Sequence, residues 1–307
     1  MTSNKQKNFV SAVVYVRNDE DTINQFLTTL CDVLEENFEK YEIILLNDAS
    51  KDASRELIKN FQSRGGMITL VNMSYPQGLE GCMYAGLDLA IGDFVFEFDR
   101  ASMDYERELI MQAYHRSLAG FDIVACGREN VSAFSKLFYW IYNNNSGGQY
   151  KLKSETFRLI SRRAINRIHS MSIDIPYRKA VYCNCGLKMD FIGYASANAD
   201  KKKAVKGRYD TATTTLIMFT TLGYQIALLF SLIMMTATLA SVVYIITVYA
   251  TGSPVEGWTT TMLLVSFGFF MLCTILTIVI KYLSIILKLV FRRQKYLIES
   301  VEKGKGS

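Results

Sequence analysis

Polar and apolar positions switch between two periods over the first 130 residues. Apolar, β-rich runs predict strands at Phe9–Val16, Glu42–Leu46, Met67–Val71, Phe94–Phe98 and Ile123–Cys126. Between them the apolar residues recur at helical spacing. Ile23, Phe26, Leu27, Leu30, Val33 and Leu34 do so within Asp21–Glu36, and helices are likewise predicted at Ala53–Phe61, Gly78–Ala90 and Arg107–Leu118. Strands alternating with helices imply right-handed crossovers and a mostly parallel sheet. Ligands of such sheets bind beyond the carboxyl ends of the strands, where Asn47, Asp48 and Asp99 fall. Further on, Phe134–Tyr142 reads as an aromatic amphipathic helix, Asn143–Gly148 as a loop and Phe157–Ile168 as a helix, while Pro176–Met189 is poorly patterned.

The last third is patterned differently. Between Thr211 and Ile280 the only charged residue is Glu256, although 21% of the whole chain is charged. Leu222–Ala250 and Trp258–Leu287 are each longer than the roughly 20 residues that cross a bilayer. The link between them, Thr251–Gly257, is short and holds Pro254, so the pair reads as a transmembrane hairpin. Lys201, Lys202, Lys203, Lys206 and Arg208 precede it, and Lys288, Arg292, Arg293 and Lys295 follow it. The link has no Lys or Arg, so the positive-inside rule puts the N-terminal domain and the C-terminus in the cytoplasm, beneath the cell (inner) membrane. The expected divisions are a cytoplasmic α/β domain over 1–200, a basic interfacial segment over 201–221, the hairpin over 222–290 and a basic tail over 291–307.

Composition narrows the chemistry. The 34 Lys and Arg against 29 Asp and Glu give a mild +5, and no nucleic-acid partner is expected. Six Cys show no zinc-type spacing, and Cys183-Asn-Cys185 is too tight for C-x-x-C chemistry. His115 and His169 have no partner motif, which argues against a His-based metal site or a Ser/His/Asp triad. Met1–Asn8 is polar and does not read as a signal peptide.

Three strand ends carry polar residues: Val16-Arg17-Asn18-Asp19-Glu20, Leu46-Asn47-Asp48-Ala49-Ser50-Lys51-Asp52, and Phe96-Glu97-Phe98-Asp99. Each alone is also what a capped strand-to-helix turn would carry. Their order, with a helix from Gly78 to Gly86 between them and Ala90-Ile91-Gly92-Asp93 before the third, resembles the family-2 glycosyltransferases. In that family the strands read like V-V-P-V-Y-N-E-E, V-D-D-G-S-x-D and M-D-A-D-L-Q-D. Gly127-Arg128, the Phe138-Tyr139 helix, Phe157-Arg158-Leu159-Ile160-Ser161-Arg162-Arg163, Arg208-Tyr209 and Gly257-Trp258 extend the resemblance. They point to the polyprenyl-phosphate branch, similar to dolichyl-phosphate mannose and glucose synthases.

The resemblance implies a GT-A-like domain that moves a sugar from a nucleotide-sugar, a UDP-sugar by preference, to polyprenyl (undecaprenyl) phosphate for cell-surface polysaccharide modification. Membrane lipids and a homo-oligomer are the other partners it implies. It assigns Asn18, Glu20, Asn47, Asp48 and Asp99 to the donor, Arg158, Lys202 and Arg208 to the acceptor phosphate, and Asp99 with Arg158 to catalysis. It also implies Mg²⁺ or Mn²⁺ at Asp99. Three departures from the pattern matter for the chemistry: Asn47 replaces the first Asp of V-D-D-G-S, Ala101 the second acid of D-x-D, and Thr156 the Asp before F-R-L. One carboxylate holds a hard cation weakly, so metal binding is doubtful and a catalytically impaired membrane scaffold is the alternative reading. Losing the base matters less, because a phosphate monoester is largely deprotonated at neutral pH.

Overall fold

Strand β1 (Val10–Val16) is buried at every position but Tyr15, the continuous apolar run of a strand covered on both faces. It pairs in parallel with β2 (Tyr41–Asn47) on one side and β4 (Phe94–Phe98) on the other, and β2 pairs in parallel with β3 (Ile68–Met73). The connecting helices are α1 (Ile23–Asn37), α2 (Ser54–Gln62) and α3 (Gly78–Leu89). The apolar stripe of α1 (Ile23, Phe26, Leu27, Leu30, Val33, Leu34) shares a core with Val10, Ala12, Val14 and Val16 and with Tyr114 of α4 (Glu108–Leu118). Helix α3 covers the opposite face. A Cβ on its Gly86 would lie 2.3 Å from Val13 Cγ1 and 2.7 Å from Leu46 Cδ1, so only glycine allows this helix to approach the sheet.

These elements come from the computed structural model, which describes residues 5–62, 67–130, 133–145, 150–171, 177–195, 229–230, 232–234, 236–237, 239–240, 243, 247, 257–291 and 296–304. The chain divides into two units. The first comprises Met1–Asn143, Gly148–Arg208 and Gln294–Ser307, and the second Asn144–Gly147 and Tyr209–Arg293.

In the first unit the described strands form one eight-stranded sheet, ordered β7-β5-β6-β4-β1-β2-β3-β8. The winding runs outward from β1 through β2 to β3, then crosses to β4. The loops after β1, β2 and β4 therefore gather at the switch point where ligands of α/β sheets bind. The expected α/β fold with a mostly parallel core is present.

Three stretches differ from the sequence expectation. Residues 157–168 split into β6 (Phe157–Ser161) and α6 (Arg162–Ser170) rather than forming one helix. Strand β6 runs antiparallel between β4 and β5 (Ile123–Arg128). Its short run has no period to distinguish strand from helix. The unpatterned stretch contains α7 (Arg178–Asn184) and leads into β7 (Met189–Tyr194). The expected basic tail contributes β8 (Ile298–Lys303), antiparallel to β3 at the sheet edge. Glu302 of β8 pairs with Arg55 and Lys59 of α2, and Gly304 N–H donates to the Ile68 carbonyl. The remaining helix of this part of the chain, α5 (Ala133–Asn145), follows the expected aromatic pattern.

In the second unit, α8 (Trp258–Phe291) is a single 34-residue helix, about 50 Å long. Over the described residues alone, no helix is long and apolar enough to cross a membrane. The basic segment with Lys202 and Arg208, most of the expected helix Leu222–Ala250, and the link before Gly257 lie outside the described residues.

Candidate active site

The loops after β1 and β2 are joined by reciprocal hydrogen bonds. Asn18 adopts a left-handed φ of 53°, which Asn tolerates better than most residues. Its N–H donates to Ser50 Oγ (3.1 Å), and its Oδ1 accepts from Lys51 N–H (2.8 Å). Glu20 Oε2 accepts from Ala53 N–H at 2.9 Å, and Glu20 N–H donates to Asp52 Oδ2 at 3.1 Å. Asn18 and Glu20, both expected at the donor, thus brace the neighbouring loop.

Asp48 is fully buried and accepts from Tyr15 Oη (2.9 Å), Arg17 Nη1 (3.0 Å), Gln77 N–H (2.6 Å) and Gly78 N–H (3.1 Å). The last two are unpaired donors at the N-terminus of α3, so Asp48 caps that helix. Asn47 donates through Nδ2 to Asn72 Oδ1 (2.9 Å), and Asn72 in turn donates to Ser300 Oγ (3.0 Å) and Glu302 Oε1 (3.1 Å). A polar ladder thus crosses β2, β3 and β8.

A buried charge cluster lies at the carboxyl end of β4. The antiparallel register of β4 and β6 sets Glu97 opposite Arg158. Arg158 is 0% exposed, with Nη1 2.8 Å from Glu97 Oε2 and Nη2 3.1 Å from Asp99 Oδ2. Its Nε lies 2.9 Å from Glu155 Oε2, an ion contact without hydrogen-bond geometry. Arg178, at the start of α7, reaches Glu80 Oε2 (2.9 Å), Glu97 Oε1 (2.5 Å) and Asp99 Oδ1 (3.4 Å). Lys179 Nζ lies 2.9 Å from Asp99 Oδ2 and donates to the Glu155 carbonyl at 3.1 Å. Tyr182 Oη donates to Glu97 Oε1 at 3.0 Å. Burial alone would raise the Asp99 carboxyl, but the charges of Arg158, Lys179 and Arg178 outweigh it and hold it well below the usual carboxylate range. Arg158 and Arg178 are pushed well above theirs: burial opposes the shift, and the facing carboxylates overcome it.

This geometry bears on two expected assignments, Arg158 at the acceptor phosphate and Asp99 at a metal. Arg158 is enclosed and faces three carboxylates, surroundings that suit holding Asp99 in place. Asp99 is not an open metal ligand: both of its oxygens face protein cations, and no group of three or more His, Cys, Asp or Glu among the described residues could hold a metal ion. A divalent metal does not fit these residues. Ala101 is 0% exposed, so a carboxylate placed there would be desolvated before it reached any ion.

A second network stands beside the first. Asp104 pairs with Arg128 and accepts from Tyr194 Oη at 2.9 Å, and Thr156 Oγ1 lies 2.7 Å from the same phenol. Burial leads the causes that push that phenol up to about 12. Thr156, where the resemblance has a carboxylate, therefore sits in a neutral hydroxyl pair.

Sequence reasoning missed Glu97, Arg178 and Lys179. The available signal was a basic pair at the start of a helix with no acid in its first turn, the unfavourable end for a cation. Such a pair implies carboxylates supplied by another element.

The family model described as glycosyl transferase family 2 matches residues 11–182, the stretch that carries the ends of β1, β2 and β4. The chain belongs to that family. The resemblance drawn from the motifs, and within it that to the polyprenyl-phosphate branch, is borne out. This family 2 chain is 29% identical over 195 residues to a prophage bactoprenol glucosyl transferase homolog of Escherichia coli, covering 61% of this chain and 63% of the relative. It is 32% identical over 132 residues to the undecaprenyl-phosphate 4-deoxy-4-formamido-L-arabinose transferase of Aeromonas hydrophila, covering 42% and 39%. The chain spans 59% to 63% of the length of the first such relatives. A mannosyltransferase from Pyrobaculum calidifontis, solved with GDP-Man and Mn²⁺, superposes with a TM-score of 0.52 at 14% identity, covering 70% of this chain and 63% of that one. At that identity the likeness concerns the GT-A fold alone.

Proposed function

We propose that the protein transfers a glycosyl group from a nucleotide-sugar, a UDP-sugar by preference, to a polyprenyl phosphate at a membrane surface. The observation that carries this reading is the family match over residues 11–182, whose relatives are named for bactoprenol and undecaprenyl-phosphate chemistry. A phosphate oxygen of the acceptor attacks the anomeric carbon. The bond from that carbon to the donor diphosphate breaks, and its electron pair leaves on the nucleoside diphosphate. The acceptor is already deprotonated near neutral pH, so a threonine at position 156 is tolerable where relatives place a carboxylate.

Membrane attachment has its own support. Leu264, Phe267, Phe270, Leu276, Val279 and Ile280 of α8 are exposed and distributed around the helix. A helix that is apolar all round needs apolar surroundings, and lipid supplies them. Because β7 and β8 belong to one sheet, the segment between them crosses any bilayer an even number of times. Taking the apolar sequence run Trp258–Leu287 as one crossing and Leu222–Ala250 as the second gives the hairpin expected from the sequence. Lys202 and Arg208 precede that hairpin in the sequence, and their charge suits an acceptor phosphate.

The test is transfer itself. Purified full-length protein in lipid nanodiscs receives radiolabelled UDP-glucose, or other UDP- and GDP-sugars, with undecaprenyl phosphate, and label is counted in the organic phase. Transfer with at least one donor is the expected result. Nucleotide binding with no transfer from any donor would support the scaffold reading, which the saturation of Asp99 by three cations favours.

A further inference from the structure

Within the buried cluster, Glu97, Glu155, Arg158 and Arg178 have side chains 0% or 1% exposed, whereas Asp99 and Lys179 are each 10% exposed. Apart from Glu80, 20% exposed on the far side of Arg178, the Asp99–Lys179 pair is where the cluster meets solvent, at the carboxyl end of β4 beside the switch point of the sheet. Among the described residues the Lys179 ammonium donates to two acceptors, Asp99 Oδ2 and the Glu155 carbonyl. An ammonium carries three N–H groups, which leaves one for a ligand oxygen. We infer that Lys179 occupies the place of a divalent metal, and that the donor diphosphate is bound and released against this ammonium without a metal ion. The inference rests on the glycosyl-transfer reading of the same site and specifies its electrostatics.

Three observations converge on it. Ala101 removes the second oxygen ligand and is sealed from solvent. Both oxygens of Asp99, the remaining carboxylate, face Arg158, Arg178 or Lys179, so neither is open to a second cation. Lys179 itself is held firmly, because the backbone carbonyl of Glu155 and the Asp99 carboxylate fix its ammonium from two sides. As the bond to the diphosphate breaks, negative charge grows on the leaving phosphate, and a fixed ammonium stabilises that charge with little reorganisation. Arg178 and Arg158 act as positioning residues: they hold Asp99 ionised, and Asp99 orients Lys179.

The experiment measures binding of UDP and of GDP to the full chain in nanodiscs by calorimetry, in chelator, in Mg²⁺ and in Mn²⁺. For the wild type, the better nucleotide should bind within about twofold of the same affinity in all three. Lys179→Met, matched in length and free of charge, should weaken that binding roughly ten- to a hundredfold, the scale of a lost charged hydrogen bond. Lys179→Arg keeps the charge and should retain metal-free binding, which separates charge from packing; thermal melts of both variants verify folding. Wild-type binding that collapses in chelator and returns with Mn²⁺ overturns the inference while leaving the donor reading intact. Unchanged affinity in Lys179→Met overturns it as well. No binding of either nucleotide under any condition removes the donor reading, and the inference with it.

Discussion

Ala49 holds a φ of 50°, in the left-handed region that costs a residue with a Cβ about 1–2 kcal/mol. In the motif that this chain resembles, that position is glycine. Ala49→Gly relieves the strain but adds freedom to the unfolded chain, so a gain of up to about 1 kcal/mol in unfolding free energy is expected. Arg158 is the opposite case. Arg158→Met leaves Glu97, Glu155 and Asp99 short of a counter-charge in a buried place, and removing one partner of such a set costs about 3–5 kcal/mol. Denaturant unfolding should register that loss, with any effect on the acceptor following from it. Asp99 also makes stability depend on pH. Its folded value lies below the ordinary Asp value, about 3.9 in the unfolded chain. Its contribution is therefore complete above roughly pH 5 and lost as pH falls toward the folded value. Melting temperature should drop on acidification from pH 5 to pH 2, and Asp99→Asn, weaker at neutral pH, should show a shallower drop.

The elements that sequence periodicity located are those of the parallel core, where α1 and α4 each show one apolar stripe and the strands are uniform apolar runs. What escaped is physically different. Strand β6 is five residues long and carries a fully buried arginine, so hydropathy alone cannot place it. Strand β8 alternates between half-buried and exposed positions and pairs only with β3 at an edge, which leaves little apolar signal. The ends of β1, β2 and β4 were legible as a site, yet their partners Arg178 and Lys179 were not, because a salt bridge across 79 positions leaves no trace in local spacing. The crossing of β5 and the segment before β6 is legible afterwards in one residue. A Cβ on Gly127 would lie 1.8 Å from the Ser154 carbonyl oxygen, and main chain cannot step aside as a side chain can. Gly127→Ala should cost roughly 1–3 kcal/mol and displace Glu155 from Arg158. A crystal structure of the variant would show that shift, and an unmoved Glu155 would sink the idea.

For the whole molecule, the proposed hairpin has a direct topological test. The link Thr251–Gly257 should face the exterior. In intact cells, Ser253→Cys, made in a background lacking the exposed Cys273, should react with an impermeant thiol reagent. Labelling that requires permeabilised cells would reverse the orientation. The two outermost strands of the sheet, β7 and β8, are separated in the chain by α8 and its preceding segment. Synthesis at roughly 5–20 residues per second therefore leaves the β3 edge open for several seconds after β7 has emerged. An open edge is a template for unwanted pairing. The sheet closes only on a chain whose long helix has already left the ribosome, so the order of translation places that helix ahead of the finished domain.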